Sequence, residues 1–319
     1  MDSQKEVLST MLGGATSGFF GRLMCHPLDT CKARIQAPPS FGHQATSVWQ
    51  CFRNTLSTEG LAGLYRGIGV VTVGGVPGAC MYFTSYEYSK AVMSDPSSVM
   101  SKYPQFCHFS SGMIAEAFCC ILFVPVDVIK ERMQIQTLAS SETAAAGAHS
   151  GTFYKSTIDA VSTIARVEGI RGIYRGYGAT IMSFGPFSAL YFTFYEEFKL
   201  AASYVANINV SNPSFEASLI CSSLAGGLAS FLTSPLDLAK LRLQVDRSKA
   251  RDARMGAFQA SEYVTYKSFY DVIKKTFLNE GGLKGLYRGA FARVAFHVPN
   301  TAVTMALFER SKQWWLDTL

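Results

Sequence analysis

The sequence predicts an all-α membrane protein: six transmembrane helices from three tandem two-helix repeats of about a hundred residues, packed as a pseudo-threefold bundle. Three observations predict it. Of 319 residues, 48% are hydrophobic and only 16% charged, with a mean hydropathy of +0.15 that is apolar for a soluble chain. A polar motif recurs three times at near-constant spacing. Two long apolar segments belong to each copy.

The motif is P-x-D-x-x-K-x-R-x-Q. It places Pro27, Asp29, Lys32, Arg34 and Gln36 in the first copy; Pro125, Asp127, Lys130, Arg132 and Gln134 in the second; and Pro235, Asp237, Lys240, Arg242 and Gln244 in the third. A second element follows each: Glu59-Gly60 before Tyr65-Arg66-Gly67, Glu168-Gly169 before Tyr174-Arg175-Gly176, and Glu280-Gly281 before Tyr287-Arg288-Gly289. A third closes each unit: Tyr86, Glu87 and Lys90; Tyr195, Glu196 and Lys199; Phe308, Glu309 and Lys312. The repeats run over 1–100, 101–208 and 209–319 and leave no room for another domain.

The apolar segments, roughly 10–37, 69–92, 107–135, 178–201, 217–245 and 290–315, are long enough to cross a hydrocarbon core of about 30 Å at about 1.5 Å per residue. Charges inside them must face something other than lipid. Gly14 and Gly18, and Ser222 and Gly226, have the small-x-x-x-small spacing that lets backbones approach. The second repeat has Gly112 and Glu116 there. Segments 137–152 and 246–262 are polar or small-residue stretches and read as loops.

On a helix, Asp29, Lys32 and Gln36 share one face, as do their counterparts, so three inward faces make a ring. Threefold symmetry pairs Asp29 with Lys130, Asp127 with Lys240 and Asp237 with Lys32, with the glutamines bridging each pair. The prolines remove backbone donors and kink the helices toward convergence at that end. The third element repeats the logic at the opposite ends, where Glu87, Lys90, Glu196, Lys199, Glu309 and Lys312, with the Tyr86 and Tyr195 hydroxyls, form a second ring. Two rings imply two gates, closed alternately around a central cavity.

These triplicated elements resemble the mitochondrial carrier family over nearly the whole chain. The resemblance implies a monomer in the inner mitochondrial membrane that moves a small-molecule solute, with the Asp/Lys ring on the matrix side and the Glu/Lys ring on the cytoplasmic side. It also implies structural cardiolipin at helix N-termini near Arg66-Gly67, Arg175-Gly176 and Arg288-Gly289, where free backbone donors suit phosphate. No further cofactor, metal site or nucleic-acid partner is expected.

Family solute contacts map onto Gly74 and Gly75, Ser183 and Phe184, and Phe296 and His297, just before Pro77, Pro186 and Pro299. The glycines leave room for a bulky group, Phe184 offers a stacking face and His297 a hydrogen-bonding ring. Arg22, Glu116 and Arg293 are charges at similar depth, each able to meet solute or another protein group. Together they suit a solute with cationic and anionic ends, such as an amino acid or S-adenosylmethionine, whose carriers this chain is similar to around Glu116 and 186–192. A divalent metal is the alternative solute, with His26 and His297 facing inward and Cys25, Cys31 and Met81 as soft neighbours. An adaptor that keeps the fold without transporting is the other alternative.

The net charge of +6 and pI near 8.8 suit anionic headgroups but decide little. The start, Met1 to Thr10, has no Arg/Ser-rich leader and is read as lacking a cleavable segment. The eight cysteines show no C-x-x-C spacing. No nucleophile–base set, Walker loop or dinucleotide fingerprint is present, so an enzyme is not expected.

Overall fold

The computed structural model describes residues 2–41, 45–93, 104–136, 154–206, 214–246 and 266–318. The expected loop segments 137–152 and 247–262 lie outside these residues, as does the side chain of Glu87. The long helices are α1 (Asp2–Gln36), α3 (Ile68–Met93), α4 (Pro104–Gln134), α6 (Tyr177–Ala206), the pair α7 (Phe215–Leu232) and α8 (Ser234–Val245), and α11 (Ala290–Thr318). They close a ring in which α3 packs on α4, α6 on α7, and α11 back on α1.

Between the long helices of each repeat lies a short one that the two-helix reading did not include: α2 (Val48–Leu64), α5 (Thr157–Ile173), and α9 (Phe269–Asn279) with the single turn α10 (Leu283–Leu286). Each begins at a serine N-cap, Ser47, Ser156 and Ser268, whose hydroxyl accepts from the backbone N–H three residues on at 3.2 Å. Each is broken by the glycine of the Glu-Gly element, Gly60, Gly169 and Gly281, at positive φ. The Tyr-Arg-Gly turn then leads into the next long helix through Gly67, Gly176 or Gly289, again at positive φ.

The motif prolines act unequally. Helical hydrogen bonding runs through Pro27 and Pro125. In the third repeat it stops at Leu232, and Thr233 starts a new helix with Pro235 in its first turn.

The bundle is inverted relative to a soluble one. Large apolar side chains such as Phe20, Phe118, Met182, Phe192 and Phe291 are exposed on the outside, with Ile220, Leu224, Leu228 and Leu232 in a stripe along α7. The motif charges point inward, Asp29, Lys32, Arg34, Arg132, Asp237 and Arg242 buried and Asp127, Lys130 and Lys240 half-buried. That arrangement fits a hydrocarbon surround. Hydropathy alone picks out two spans among the described residues, Ser110–Gln134 at 2.1 and Phe215–Leu232 at 1.4.

Small-residue contacts are as expected at Gly226, which faces Thr301 at 3.6 Å and Tyr191 at 3.7 Å, but shifted from the expected positions on α1. Gly18 has nothing within 4 Å of its missing Cβ and Gly14 only the Phe308 ring at 3.9 Å. On α1 it is Gly13, 3.0 Å from the Lys312 backbone N, and Gly21, against Thr304, that admit α11.

The repeats are fastened by a feature with no expected role. Arg132, wholly buried, forks onto both oxygens of Glu168 at 2.7 and 2.9 Å, while its Nε donates 2.9 Å to the Gln244 carbonyl of the next repeat. Arg34 does the same with Glu59 (2.7 and 3.0 Å) and the Gln134 carbonyl (2.9 Å). Arg242 takes Glu280 and, at 3.2 Å, the Gln36 carbonyl, which completes the cycle. Beside each clamp a matching apolar cluster joins two repeats: Ile129, Met133 and Ile164 with Val70; Cys31, Ile35 and Leu64 with Ala292; Ala239, Leu243 and Val272 with Ala179.

Removing one partner of such a pair leaves a buried charge, at a cost of about 3–5 kcal/mol. Arg132→Ala is expected to lower the unfolding temperature markedly, read with a thiol-reactive dye on the buried cysteines. Arg132→Lys is expected to recover little, because one ammonium cannot span a carboxylate and two carbonyls.

Candidate functional site: a cavity closed by three ion pairs

The inward faces of α1, α4 and α8 meet at one end. There Lys130 lies 2.6 Å from Asp29, Lys240 2.7 Å from Asp127 and Lys32 2.8 Å from Asp237. These are the pairings that threefold symmetry predicts. The bracing differs. Gln134 donates to Asp29 at 3.3 Å and to Thr30 at 3.1 Å. Gln244 instead donates to Thr180 at 3.5 Å, and both amide atoms of Gln36 are buried without a partner. Gln36 and Gln244 pack over Gly289 and Gly176, which holds them off the ion pairs.

Beneath the ring, the residue after each motif glutamine, Ala37, Ile135 and Val245, packs with Ala33 and Leu241 into a plug that is at most 2% exposed. The ring therefore has an apolar seal behind it. Small, aliphatic side chains at one position per repeat were the available signal, and charge-based reading passed over it.

Above the ring lies a cavity of about 340 Å³, large enough for a small metabolite. Arg22, Glu116, Ser183, Phe184, Arg293, Phe296 and His297 all line it. Glu116 has no cation within ion-pair reach among the described residues; the Cys120 thiol donates to it at 3.5 Å. Arg22 stacks on Phe123 at 5.8 Å and likewise holds no carboxylate.

Three candidates are held against protein groups. Gly74 and Gly75 do not open space for a solute, because Val126 of α4 fills the place of a Gly74 Cβ and the Arg22 guanidinium lies 2.9 Å from that of Gly75. Arg293 is 4% exposed and donates to the Ser230 carbonyl (2.9 Å) and the Thr233 hydroxyl (2.7 Å), which caps the break before Pro235, and lies 3.4 Å from Asp237.

His297 lies 5.3 Å from Phe187, which also has the Arg293 guanidinium over its ring at 5.4 Å and Tyr191 beside it, and Tyr191 stacks on Tyr195. This aromatic ladder on α6 rises from the cavity toward Lys199, which sits 5.0 Å over the Tyr195 ring. Asn300 also lines the cavity, its Oδ1 buried without a partner. Phe187, Phe123, Asn300 and Glu131 were not predicted. Phe187, at least, follows from the i, i+4, i+8 spacing with Tyr191 and Tyr195.

At the opposite end, Lys199 pairs with Glu196 one turn away on its own helix at 2.9 Å, and Lys90 lies 5.9 Å over the Tyr86 ring. Glu196 and Glu309 are exposed. Lys312 belongs to the α1–α11 contact through its backbone. No closed ring is seen among the described side chains at this end. The turn arginines face protein: Arg66 meets Glu59 at 3.2 Å, Arg175 meets Asp246 at 2.5 Å, and Arg288 lies 3.9 Å from Glu280. Lipid phosphate at these turns would have to rely on the backbone donors that open α3, α6 and α11.

A family model described as mitochondrial carrier protein matches residues 3–97, 101–204 and 211–319. Among curated proteins, mitochondrial substrate carrier family protein E of Dictyostelium discoideum is 33% identical over the full length of both chains. The succinate/fumarate mitochondrial transporter of Saccharomyces cerevisiae is 31% identical over 96% of this chain and 92% of its own. The mitochondrial S-adenosylmethionine carrier protein of Xenopus tropicalis is 30% identical over 91% of this chain and 90% of its own. Three matched repeats, a helical bundle with its charges turned inward and full-length relatives make this chain a member of the mitochondrial carrier family, and so a mitochondrial membrane transport protein.

Proposed function

We propose that this carrier sits in the inner mitochondrial membrane and moves, by alternating access, a small metabolite bearing both a cationic and an anionic group. The observation that carries this is the pair of uncompensated charges, Glu116 and Arg22, facing one cavity above a closed ring of ion pairs. Charges away from bulk water are costly unless matched, and a zwitterionic solute would match both. The Asp/Lys ring is the matrix gate and the Glu/Lys element the cytoplasmic gate. On this reading a closed Asp/Lys ring goes with a cavity open toward the cytoplasm.

The aromatic ladder of Phe187, Tyr191 and Tyr195 favours a solute with a planar or cationic part, since ring faces take both. S-adenosylmethionine unites a sulfonium, an amino acid and an aromatic base, and one relative at 30% identity is named for its transport. In this reading Glu116 takes the cationic centre, Arg22 the carboxylate and the ladder the base. Gly75 keeps Arg22 in place. Cardiolipin at the three Gly-led helix starts fits the same membrane and a monomeric carrier.

Glu116→Gln keeps shape and removes charge. It is expected to reduce S-adenosylmethionine uptake by reconstituted protein at least tenfold, as when a buried charge loses its match, while the melting temperature stays within a degree or two. Unchanged uptake kinetics would take Glu116 out of the site. At the gate, Asp127→Lys is expected to block uptake and the double variant Asp127→Lys, Lys240→Asp to recover part of it, because the pair re-forms with its poles exchanged. Uptake by the single variant at the parental rate would show that the ring does not close the cavity.

A further inference from the structure

The ring has more charges than three pairs require. Glu131, next to Lys130 on α4, lines the same cavity and is 7% exposed. Its Oε1 lies 3.5 Å from Lys130 Nζ, while its Oε2 is buried without a partner. The corresponding positions in the other repeats are Ala33 and Leu241. On the opposite side, Arg293 reaches the Asp237 carboxylate that Lys32 already occupies. The extra acid and the extra base balance one another.

Their placement follows the water. In the Lys32–Asp237 and Lys130–Asp29 pairs the side chains are 11 and 12%, and 13 and 8%, exposed; in Lys240–Asp127 they are 21 and 23% exposed. The two drier pairs have an added partner, and among the described residues the wetter one has none. Each added group also belongs to the repeat of the residue it touches. Glu131 is on the helix of Lys130, and Arg293 is tied to Ser230 and Thr233 within the repeat of Asp237.

We propose that Glu131 and Arg293 are reserve partners that hold Lys130 and Asp237 when repeat 1 moves away with Asp29 and Lys32. The inference rests on the ring being the gate. When the Lys130–Asp29 seam parts, an unaided Lys130 is left charged in a poorly hydrated place, and the half-broken state is what limits opening. Glu131 travels with Lys130 and replaces the departing carboxylate. In the closed ring it contributes little, because its attraction to Lys130 is offset by its repulsion of Asp29. It therefore acts on opening rather than on stability, as a positioning residue. The wetter Lys240–Asp127 pair draws on water instead.

The test reads opening without a solute. Ala37, fully buried in the plug, becomes reachable only when the ring parts. Ala37→Cys protein in lipid nanodiscs, titrated with a water-soluble maleimide against the parental cysteines, gives an opening rate. Adding Glu131→Gln is expected to slow labelling about tenfold with the melting temperature unchanged or raised, the mark of a costlier open state. Glu131→Asp is expected to keep most of the rate. Adding Asp29→Asn instead is expected to speed labelling several-fold. If Asp29→Asn leaves labelling unchanged, the ring is not the closure and the gate reading falls. If Asp29→Asn speeds it but Glu131→Gln labels at or above the Ala37→Cys rate, or melts lower, Glu131 is not a reserve partner.

Discussion

Three lysines and three aspartates on the inner faces of a helical bundle cannot remain single charges where water is scarce. Each needs its opposite from a neighbouring repeat, and that requirement brings α1, α4 and α8 together at one end. On the proposed reading the same constraint makes the closure reversible. A ring of desolvated pairs has a small net worth, because desolvation offsets most of the attraction, yet it resists being half-made. A cavity with uncompensated charges above such a ring can exchange the energy of one for the other. The apolar plug of Ala37, Ile135 and Val245 adds a seal without adding charge.

The fixed part of the molecule is built from the same motif. Two residues after each ring lysine, an arginine turns away from the cavity, grips the Glu of the short helix with both arms and reaches a carbonyl in the next repeat. Lysine and arginine therefore divide the work on one helix. The compact ammonium makes a single bond that can be released, and the planar guanidinium keeps its two bonds to the glutamate of its own repeat when the carbonyl of the next repeat is given up. The glycines at positive φ let the short helix and its turn fold back far enough to present that glutamate.

Much of this was legible in the sequence because a threefold repeat turns one-dimensional spacing into geometry. Asp and Lys three residues apart on each of three helices leave two cyclic pairings of opposite sense, and the structure has the one in which each aspartate meets the lysine of the next repeat. What was not legible depends on depth and on neighbours. Arg34, Arg132 and Arg242 stood in the motif, but their partners lie in elements whose fold is set by caps and left-handed glycines. Gly74 and Gly75 look like open space until Val126 and Arg22 occupy it. Arg293 reads as a cavity charge, yet the helix break before Pro235 supplies carbonyls that claim it. The expected second ring is not seen among the described side chains, where Lys199 has its acid on its own helix and Glu87 lies outside them.

The central claim is that the three repeats separate at the Asp/Lys end as a unit when the ring breaks. Spin labels at exposed positions 54, 166 and 274, one on each short helix, would read this through their three pairwise distances, measured in lipid with and without saturating S-adenosylmethionine. The account predicts two populations for every pair, a short one matching the closed ring and a longer one enriched by solute. A single, solute-independent distance for all three pairs, in protein that takes up the solute, would contradict it.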